Sequence, residues 1–214
     1  MTERRLVVVT AGLSQPSSTR LLADRLAAAT TSALAEIGIE GRIEVVELRD
    51  HARALVDHLL TGFPGPDLRS TIDHVLAADG LVAVSPIFNA SYSGLFKLFF
   101  DVLDRDSLDG VPVLIGATGG TTRHSLALDH ALRPLFAYLG ALVVPTGVYA
   151  AAEDWGQAGD ADVALAGRIQ RAGAELAMAM AAMPRPPAVD PFDAPADFAS
   201  LLRNVSPPGP GFDG

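Results

Sequence analysis

The segment LVVVTAGLSQPSSTR, residues 6–20, carries a clear strand-to-helix signal. It opens on a run of apolar, mostly β-branched residues, which predicts a short buried strand. A glycine and a cluster of hydroxyl residues follow, and this composition is typical of a turn that leads into the start of a helix. The segment therefore predicts the first strand, loop and helix of a βαβ unit.

Further short apolar runs recur along the chain and alternate with longer segments of helical periodicity. This alternation favours parallel strands joined by right-handed helical crossovers. We predict an α/β fold, a flavodoxin-like doubly wound sheet of five parallel strands in the order 2-1-3-4-5 with helices on both faces. The predicted strands are Leu6–Thr10, Ile43–Leu48, Leu81–Ser85, Val113–Thr118 and Leu142–Val148, and the later predicted helices cover about Gly94–Leu103, from near Thr122–Ser125 to Gly140, and about Asp160–Met183.

The chain of 214 residues suits a single α/β domain with a sizeable core. Prolines become frequent from Pro184 onward, so we predict a domain over residues 1–183 and a Pro-rich tail over 184–214. The tail is interpreted as a mobile extension or, alternatively, as an arm that docks on a neighbouring subunit. The apolar residues of that arm would be Phe192, Phe198, Leu201 and Leu202.

Composition excludes several classes of function. The formal net charge of −9, with no dense run of Lys and Arg, argues against nucleic-acid binding and against anionic membrane surfaces. No stretch is long and apolar enough to cross a bilayer, and residues 1–9 are too short for a signal peptide, so we expect a cytoplasmic protein. The absence of cysteine excludes disulfides and thiolate chemistry.

The loop after the first predicted strand contains the groups that a phosphate needs. In an open parallel sheet, ligands bind beyond the carboxyl ends of the strands, where the winding direction reverses. Free backbone N–H groups and the helix dipole would stabilise an anion there, together with the side chains of Ser14, Ser17, Ser18, Thr19 and Arg20. Without a G-x-G-x-x-G or Walker motif, the loop favours a mononucleotide phosphate. Alternatively, one of these hydroxyl residues is only a helix N-cap.

The loops after the third and fourth predicted strands favour a flat ligand. Ile87 and Phe88 would lie against an aromatic ring system while Asn89 meets its polar edge. Gly119 and Gly120, directly after Thr118, would permit close backbone approach. Each signal has an ordinary alternative, because Phe88 could be a packing residue and a glycine pair also occurs in left-handed turns.

Arg123 and His124 are candidates for a substrate contact, although a solvated helix start is the favoured interpretation. The remaining histidines lie on separate predicted helices without metal-binding spacing, so we expect no metal. No hydrolase motif is present either. We therefore name no catalytic side chain.

Three segments together resemble the NAD(P)H-dependent FMN reductase family of flavodoxin-like proteins. They are Ser14–Arg20, Pro86–Lys97 with a Y-S-G-L-x-K pattern, and A-T-G-G-T at 117–121 with His124. The resemblance covers about residues 5–156 and is nearest to the reductase components of two-component flavin monooxygenases. It implies a flavin mononucleotide (FMN) phosphate at Ser14 and Ser17–Arg20. It also implies ring contacts from Pro86, Ile87, Phe88, Asn89 and Thr118–Gly120.

The resemblance implies hydride transfer from NADPH or NADH to flavin N5, with Arg123 and His124 at the nicotinamide nucleotide's phosphate or at the flavin edge. In the leading hypothesis, the reduced flavin is then released to a monooxygenase. Two alternatives remain: a bound-FMN reductase of quinones, azo dyes or metal oxyanions, and a non-enzymatic flavodoxin-type electron carrier. We expect a homodimer or homotetramer, because the apolar helix from Tyr92 to Phe100 and the Ala/Met-rich last helix could bury against another subunit.

Overall fold

The computed structural model describes residues 2–155 and 160–183. Within them, strands and helices alternate as the sequence predicts. The strands are β1 (Thr2–Thr10), β2 (Ile39–Glu47), β3 (Gly80–Phe88), β4 (Ser91–Tyr92), β5 (Pro112–Gly119), β6 (Leu142–Val143) and β7 (Val148–Ala151). The α-helices are α1 (Ser18–Glu36), α2 (Ala52–Thr61), α3 (Pro66–Leu76), α4 (Gly94–Asp101), α5 (Arg133–Tyr138) and α6 (Asp160–Ala182).

The main sheet is parallel and has the predicted winding. β1 lies between β2 and β3, β3 pairs with β5, and β5 pairs with both β6 and β7. Because β6 and β7 together occupy the place of the fifth predicted strand, the order 2-1-3-4-5 is confirmed. The short β4 pairs antiparallel to β3 and was not predicted.

The fifth predicted strand is interrupted. Leu142 and Val143 pair with the start of β5, whereas Val148–Ala151 pairs with its end. Pro145 lies between them and has no N–H for a ladder hydrogen bond. The adjacent Thr146 is bound by α6 instead of by a strand, because its N–H and hydroxyl both donate to the Glu175 carboxylate at 2.7 Å.

The fifth predicted helix, from near residues 122–125 to Gly140, is also divided. A 3-10 turn at Thr122–His124 and a π-helical turn at Leu128–Leu132 precede α5. The periodicity of the sequence does not distinguish these hydrogen-bonding patterns from a continuous α-helix.

The buried side chains of the sheet form two clusters, because successive side chains of a pleated strand point to opposite faces. Val7 and Val9 of β1 pack toward α2, α3, α4 and α5, whereas Leu6 and Val8 pack toward α1 and α6. Both faces are therefore covered, as expected for a parallel sheet. No helix among the described residues is long and apolar enough to cross a membrane.

The α4 helix does not present its aromatic residues to another subunit. Phe96, Phe99 and Phe100 are at most 2% exposed. Phe100 packs edge-to-face with Phe99 and with Phe136 of α5, and Phe96 packs edge-to-face with Phe136 and at a tilt of 56° with Phe100. The apolar pattern of this helix thus reflects core packing, and it does not support the oligomer that the sequence suggested there.

Candidate functional site

A cavity of about 560 Å³ lies at the carboxyl edge of the sheet, between the loops that follow β1, β3 and β5. Parallel strands bring these loops together because their carboxyl ends share one edge. Ten of the residues predicted for the site line this cavity: Ser14, Ser17, Ser18, Thr19, Pro86, Ile87, Phe88, Thr118, Gly119 and Gly120.

One end of the cavity is formed by the start of α1. Ser17 is the N-cap of this helix, and its hydroxyl accepts a hydrogen bond from the backbone N–H of Arg20 at 3.2 Å. The capping alternative therefore applies to Ser17, while the side chains of Ser14 and Ser18 are exposed and available to a ligand. Gly12 is required by this geometry, since a Cβ there would lie 2.2 Å from the Ser17 hydroxyl oxygen.

A buried hydrogen bond joins the first loop to the third. The hydroxyl oxygens of Thr19 and Thr118 lie 2.8 Å apart, and both residues are less than 5% exposed. Pro86 of β3 is the strand partner of Thr118, so the three loops are fixed to one another close to the cavity. The site is consequently preorganised by the sheet.

Ile87 and Phe88 form the second wall of the cavity. Ile87 is half-buried, and Phe88 is 47% exposed. The chain reverses directly afterwards at Asn89 and Ala90, which have φ values of 47° and 70°, and Ser91–Tyr92 then pairs back onto Ile87–Phe88. This hairpin with two left-handed turn residues fixes the direction in which Phe88 points.

The third wall is the glycine loop after β5, and Tyr149 of β7 holds it. The Tyr149 hydroxyl donates a hydrogen bond to the Thr121 carbonyl at 2.8 Å. A Cβ on Gly119 would lie 2.0 Å from that hydroxyl oxygen, so the tyrosine can reach Thr121 only because residue 119 is glycine. Burial, and then the charge of Asp154, raise the pKa of the Tyr149 phenol.

Four of the predicted site residues do not line the cavity. Arg20 points to two carboxylates, with its Nε 2.8 Å from Asp24 and an ion pair to Glu47. The hydrogen bond to Asp24 is the largest cause of the raised pKa of Arg20. Asn89 lies in the exposed hairpin turn, and Arg123 and His124 lie in the exposed 3-10 turn after the glycine loop. Their roles in binding stay predictions.

Three further residues line the cavity that sequence reasoning missed, namely Leu13, Ala152 and Trp155. Trp155 is the single tryptophan of the chain, and the Arg25 guanidinium lies 5.2 Å from the centre of its ring. Ala152 and Trp155 follow β7, so the rule that ligands bind beyond the carboxyl ends of strands could have found them. The predicted fifth strand ends at Val148, three residues before the end of β7.

The described lining of this cavity contains no charged side chain. It offers hydroxyls, backbone N–H groups and apolar surfaces, which suit a phosphate at the helix start and a flat ring beside Ile87 and Phe88. The described residues also include no cluster of three or more His, Cys, Asp or Glu that could hold a metal ion.

A larger cavity, of about 700 Å³, lies between α4 and the π turn with α5. Its polar lining includes Lys97, Asp101 and His130, and Lys97 is already paired with Asp101. None of the residues predicted for the site lines it. Its walls are mainly helical, with Ser91 and Tyr92 of β4 on one side, and the loops after β1 and β5 do not line it.

The fold and this cavity define the chain as a flavodoxin-like α/β protein with a candidate mononucleotide site at the switch point of its sheet. Residues 4–156 match the model of the NADPH-dependent FMN reductase family, and the chain belongs to that family.

The chain is similar to several curated proteins of this kind. It is 40% identical over 153 residues to an FMN reductase (NADPH) of Pseudomonas aeruginosa, covering 71% of this chain and 78% of that protein. It is 37% identical over 173 residues to the NADH-dependent FMN reductase SfnE of Pseudomonas putida, covering 80% and 89%.

Two solved structures are also similar to this chain. An oxidoreductase from Corynebacterium diphtheriae superposes with a TM-score of 0.82 at 45% identity, over 86% of this chain and all (100%) of that one. The apo form of the NADH:FMN oxidoreductase EmoB superposes with a TM-score of 0.67 at 30% identity, over 81% and 90%.

Proposed function

We propose that this protein is an NAD(P)H-dependent FMN reductase, in which hydride passes from the nicotinamide to flavin N5. The observation that carries the proposal is the uncharged cavity formed by the α1 start, Ile87–Phe88 and the glycine loop, in a chain that belongs to the FMN reductase family. The names of its relatives include both NADPH- and NADH-dependent reductases, so the proposal covers both nucleotides.

The residues of the cavity fit FMN. The hydroxyls of Ser14 and Ser18 and the N–H groups at the start of α1 would hold the phosphate, and the dipole of this 19-residue helix stabilises its charge. Gly120 lines the cavity, has no left-handed backbone, and a Cβ there would meet no atom within 4 Å. The protein's own packing therefore does not require a glycine, whereas a ring lying on the loop would.

When bound, FMN supplies a ring that accepts hydride, and the transfer needs no side chain as acid or base. The residues of this chain then only bind and orient the reactants. The start of α1 holds the phosphate, the Thr19–Thr118 bond fixes the distance between the first and third loops, and Tyr149 fixes the glycine loop. Ile87 and Phe88 cover the ring and exclude water on that side.

We propose that FMN is a substrate of modest affinity, released after reduction to a flavin-dependent monooxygenase. The described cavity lining lacks a cation for the phosphate, and Arg20 is occupied by Asp24 and Glu47. Neutral donors bind a phosphate less strongly than a charged pair does. Weak binding suits a diffusible flavin, whereas an electron carrier has to retain it.

The first test follows NADPH and NADH oxidation while FMN is varied from substoichiometric to large excess. The proposal expects the rate to saturate only when free FMN is well above the enzyme concentration. Full activity with one FMN per chain plus a quinone or dye would establish the bound-FMN reductase instead. Bound flavin without oxidation of either nucleotide would leave the electron carrier.

Release of the reduced flavin is tested without oxygen, with the enzyme and nucleotide on one side of a dialysis membrane and ferric cytochrome c on the other. If reduced FMN leaves the enzyme, the cytochrome is reduced at a rate that depends on FMN. The supply of a monooxygenase would be contradicted if the cytochrome stays oxidised while a dye in the enzyme compartment sustains NADPH oxidation.

Three further features belong to the proposal. Arg123 and His124 lie next to the glycine loop and are proposed to contact the nicotinamide nucleotide. A reaction that consumes a reduced pyridine nucleotide favours a cytoplasmic location. We also propose a homo-oligomer, because the exposed apolar side chains of Val56, Leu59 and Leu60 on α2 could be covered by another subunit.

A further inference from the structure

The first loop of the candidate site has a network of ion pairs beside it. Glu47, the last residue of β2, places one carboxylate oxygen on each of two arginines. Its Oε1 pairs with Nη1 of Arg20, in the first turn of α1, and its Oε2 lies 2.8 Å from Nε of Arg49, in the 3-10 turn after β2. The Glu47 carboxylate therefore holds two guanidinium groups that belong to different elements.

Both arginines contact the segment that is proposed to hold the phosphate. Nη1 of Arg49 donates a hydrogen bond to the carbonyl of Ser14 at 3.5 Å, and Ser14 lines the cavity. The backbone N–H of Arg20 donates to the hydroxyl of Ser17, which also lines the cavity. Neither arginine itself lines the cavity, and the side chain of Arg20 lies with Glu47 in a separate depression at the edge of β2. The two guanidinium groups are thus close to the candidate phosphate site but outside it.

The network has more negative than positive groups. Asp24 lies 2.8 Å from Nε of Arg20, and Asp50 lies 3.6 Å from Nε of Arg49, so three carboxylates face two guanidinium groups. The side chain of Glu47 is 22% exposed, whereas those of Asp24 and Asp50 are 50% and 67% exposed. Because solvent and salt screen a partly buried charge less than an exposed one, the Glu47 carboxylate has the strongest effect on an anion bound nearby.

From these observations we propose that the Glu47 carboxylate limits the affinity for FMN, because it neutralises two arginines that would otherwise attract the flavin phosphate. The inference rests on the proposed function, in which the phosphate binds at the start of α1. Without the charge of Glu47, two guanidinium groups face two carboxylates, and the net negative charge beside the phosphate is gone. FMN then binds more tightly, whereas riboflavin, which has no phosphate, binds as before. Since a tighter complex dissociates more slowly, Glu47 favours release of the reduced flavin.

The test compares FMN with riboflavin in binding to the full-length parent and to Glu47→Gln, measured by quenching of the Trp155 fluorescence. At low ionic strength we expect the Kd of FMN to fall about 5- to 10-fold in the variant and the Kd of riboflavin to stay within about twofold. Most of the gain should disappear in about 0.5 M salt.

The matched control is Glu44→Gln, which removes the same charge from the same strand three residues earlier. The Glu44 carboxylate lies 4.0 Å from Nε of Arg5 and 3.5 Å from Nε of Arg42, and neither arginine contacts the first loop. The Kd of FMN should therefore stay within about twofold of the parent value in this variant. Equal tightening by Glu44→Gln and Glu47→Gln would overturn the proposal.

The sign of the change distinguishes this role of Glu47 from a structural one. If the residue only supported the fold, loss of its two ion pairs would leave the Kd of FMN unchanged or raise it, and either result would refute the inference. Tightening of FMN and riboflavin by the same factor would refute it as well, because the effect would not involve the phosphate. A parent protein that binds FMN no more tightly than riboflavin would refute the proposed phosphate site together with the inference. A parent that prefers FMN, with the same preference in Glu47→Gln, would refute the inference alone.

Arg49→Gln provides an independent measurement that does not depend on the folding of Glu47→Gln. It makes the network more negative, so we expect the Kd of FMN to rise about 5- to 10-fold with little change for riboflavin. The double variant Glu47→Gln with Arg49→Gln has the net charge of the parent and should return the Kd of FMN to within about twofold of the parent value. A loss of affinity in Arg49→Gln that is equal for both flavins would contradict the proposal.

Discussion

At the level of single residues, the two adjacent glycines of the third loop have different reasons to be glycine. Gly119 has a reason inside the protein, because Tyr149 occupies the space that a side chain would need. Gly120 has none, since the space around its missing Cβ is open and borders the cavity. Packing within the protein therefore constrains Gly119, whereas only a ligand in the cavity would constrain Gly120.

We therefore predict that Gly120→Val weakens FMN binding about 10- to 100-fold, because the new side chain would occupy the space of the ring. Quenching of the Trp155 fluorescence by FMN measures the affinity, since this is the single tryptophan and it lines the cavity. Gly65→Val is the control, as its Cβ would also meet nothing within 4 Å but lies at the start of α3. Equal affinity of the Gly120 variant and the parent would mean that the ring does not lie on this loop.

Tyr149→Phe should loosen the glycine loop without opening a cavity. We expect the KM for FMN to rise several-fold with little change in kcat, and stability to fall by about 1 kcal/mol through loss of the hydrogen bond to Thr121. Steady-state kinetics and thermal unfolding measure the two effects. A change in stability alone would assign the tyrosine a purely structural role.

Because it depends on the Tyr149 hydroxyl, this stabilisation should vary with pH. The phenol donates only when protonated, and its pKa in the folded chain is raised above 10.0. The contribution of the Tyr149 phenol to stability is complete below its pKa in the unfolded chain. It is lost as the pH rises through its pKa in the folded chain. Subtracting the phenolate absorbance of Tyr149→Phe from that of the parent should therefore leave a component with a midpoint above 10.0.

At the level of elements, the contact between α1 and α6 depends on a small residue. A Cβ on Gly173 would lie 2.8 Å from the backbone of Ala29, which cannot move aside without shifting α1. Gly167, six residues earlier on α6, is exposed, and a Cβ there would meet nothing within 4 Å. The same helix thus holds one glycine that packing requires and one that it does not.

These two positions form a matched pair of stability predictions. Gly173→Ala should lower the free energy of unfolding by about 1–3 kcal/mol through overpacking. Gly167→Ala should raise it by about 0.5–1 kcal/mol, since alanine loses less entropy in a helix than glycine does. Denaturant unfolding of both variants measures the difference. Destabilisation by both substitutions would contradict the packing argument.

The elements also show which parts of the fold could be predicted. Strands β1, β3 and β5 are predictable because buried parallel strands are nearly continuous apolar runs. The last strand was misjudged, because apolar composition conceals the break at Pro145 and the capture of Thr146 by Glu175. The β4 hairpin was missed because Asn89-Ala90 lacks the glycine that usually marks such a turn.

At the level of the whole molecule, the order of the strands made most of the site predictable. The rule that ligands bind at the carboxyl edge of a parallel sheet predicts that the loops at Ser14, Ile87 and Gly119 meet there. Arg20 shows the limit of that rule. Its partner Glu47 comes from β2, 27 positions along the chain, and no local pattern relates the two residues.

The last prediction concerns residues 184–214, which lie outside the described residues together with the proposed arm of Phe192, Phe198, Leu201 and Leu202. The sheet, both buried clusters and the candidate cavity are described within residues 2–155 and 160–183. We therefore expect a chain ending at Met183 to keep its melting temperature within about 2 °C, because a change of 1 kcal/mol would already shift it by that amount or more. Its KM for FMN should stay within about twofold of that of the full chain.

Light scattering of the same two proteins distinguishes the two hypotheses for the tail. If the tail is an extension without a docking role, both proteins have the same number of subunits. If Phe198, Leu201 and Leu202 dock on a neighbouring subunit, truncation lowers the number of subunits or weakens their association. Because Val56, Leu59 and Leu60 of α2 offer exposed apolar surface within the described residues, we expect the subunit number to survive truncation.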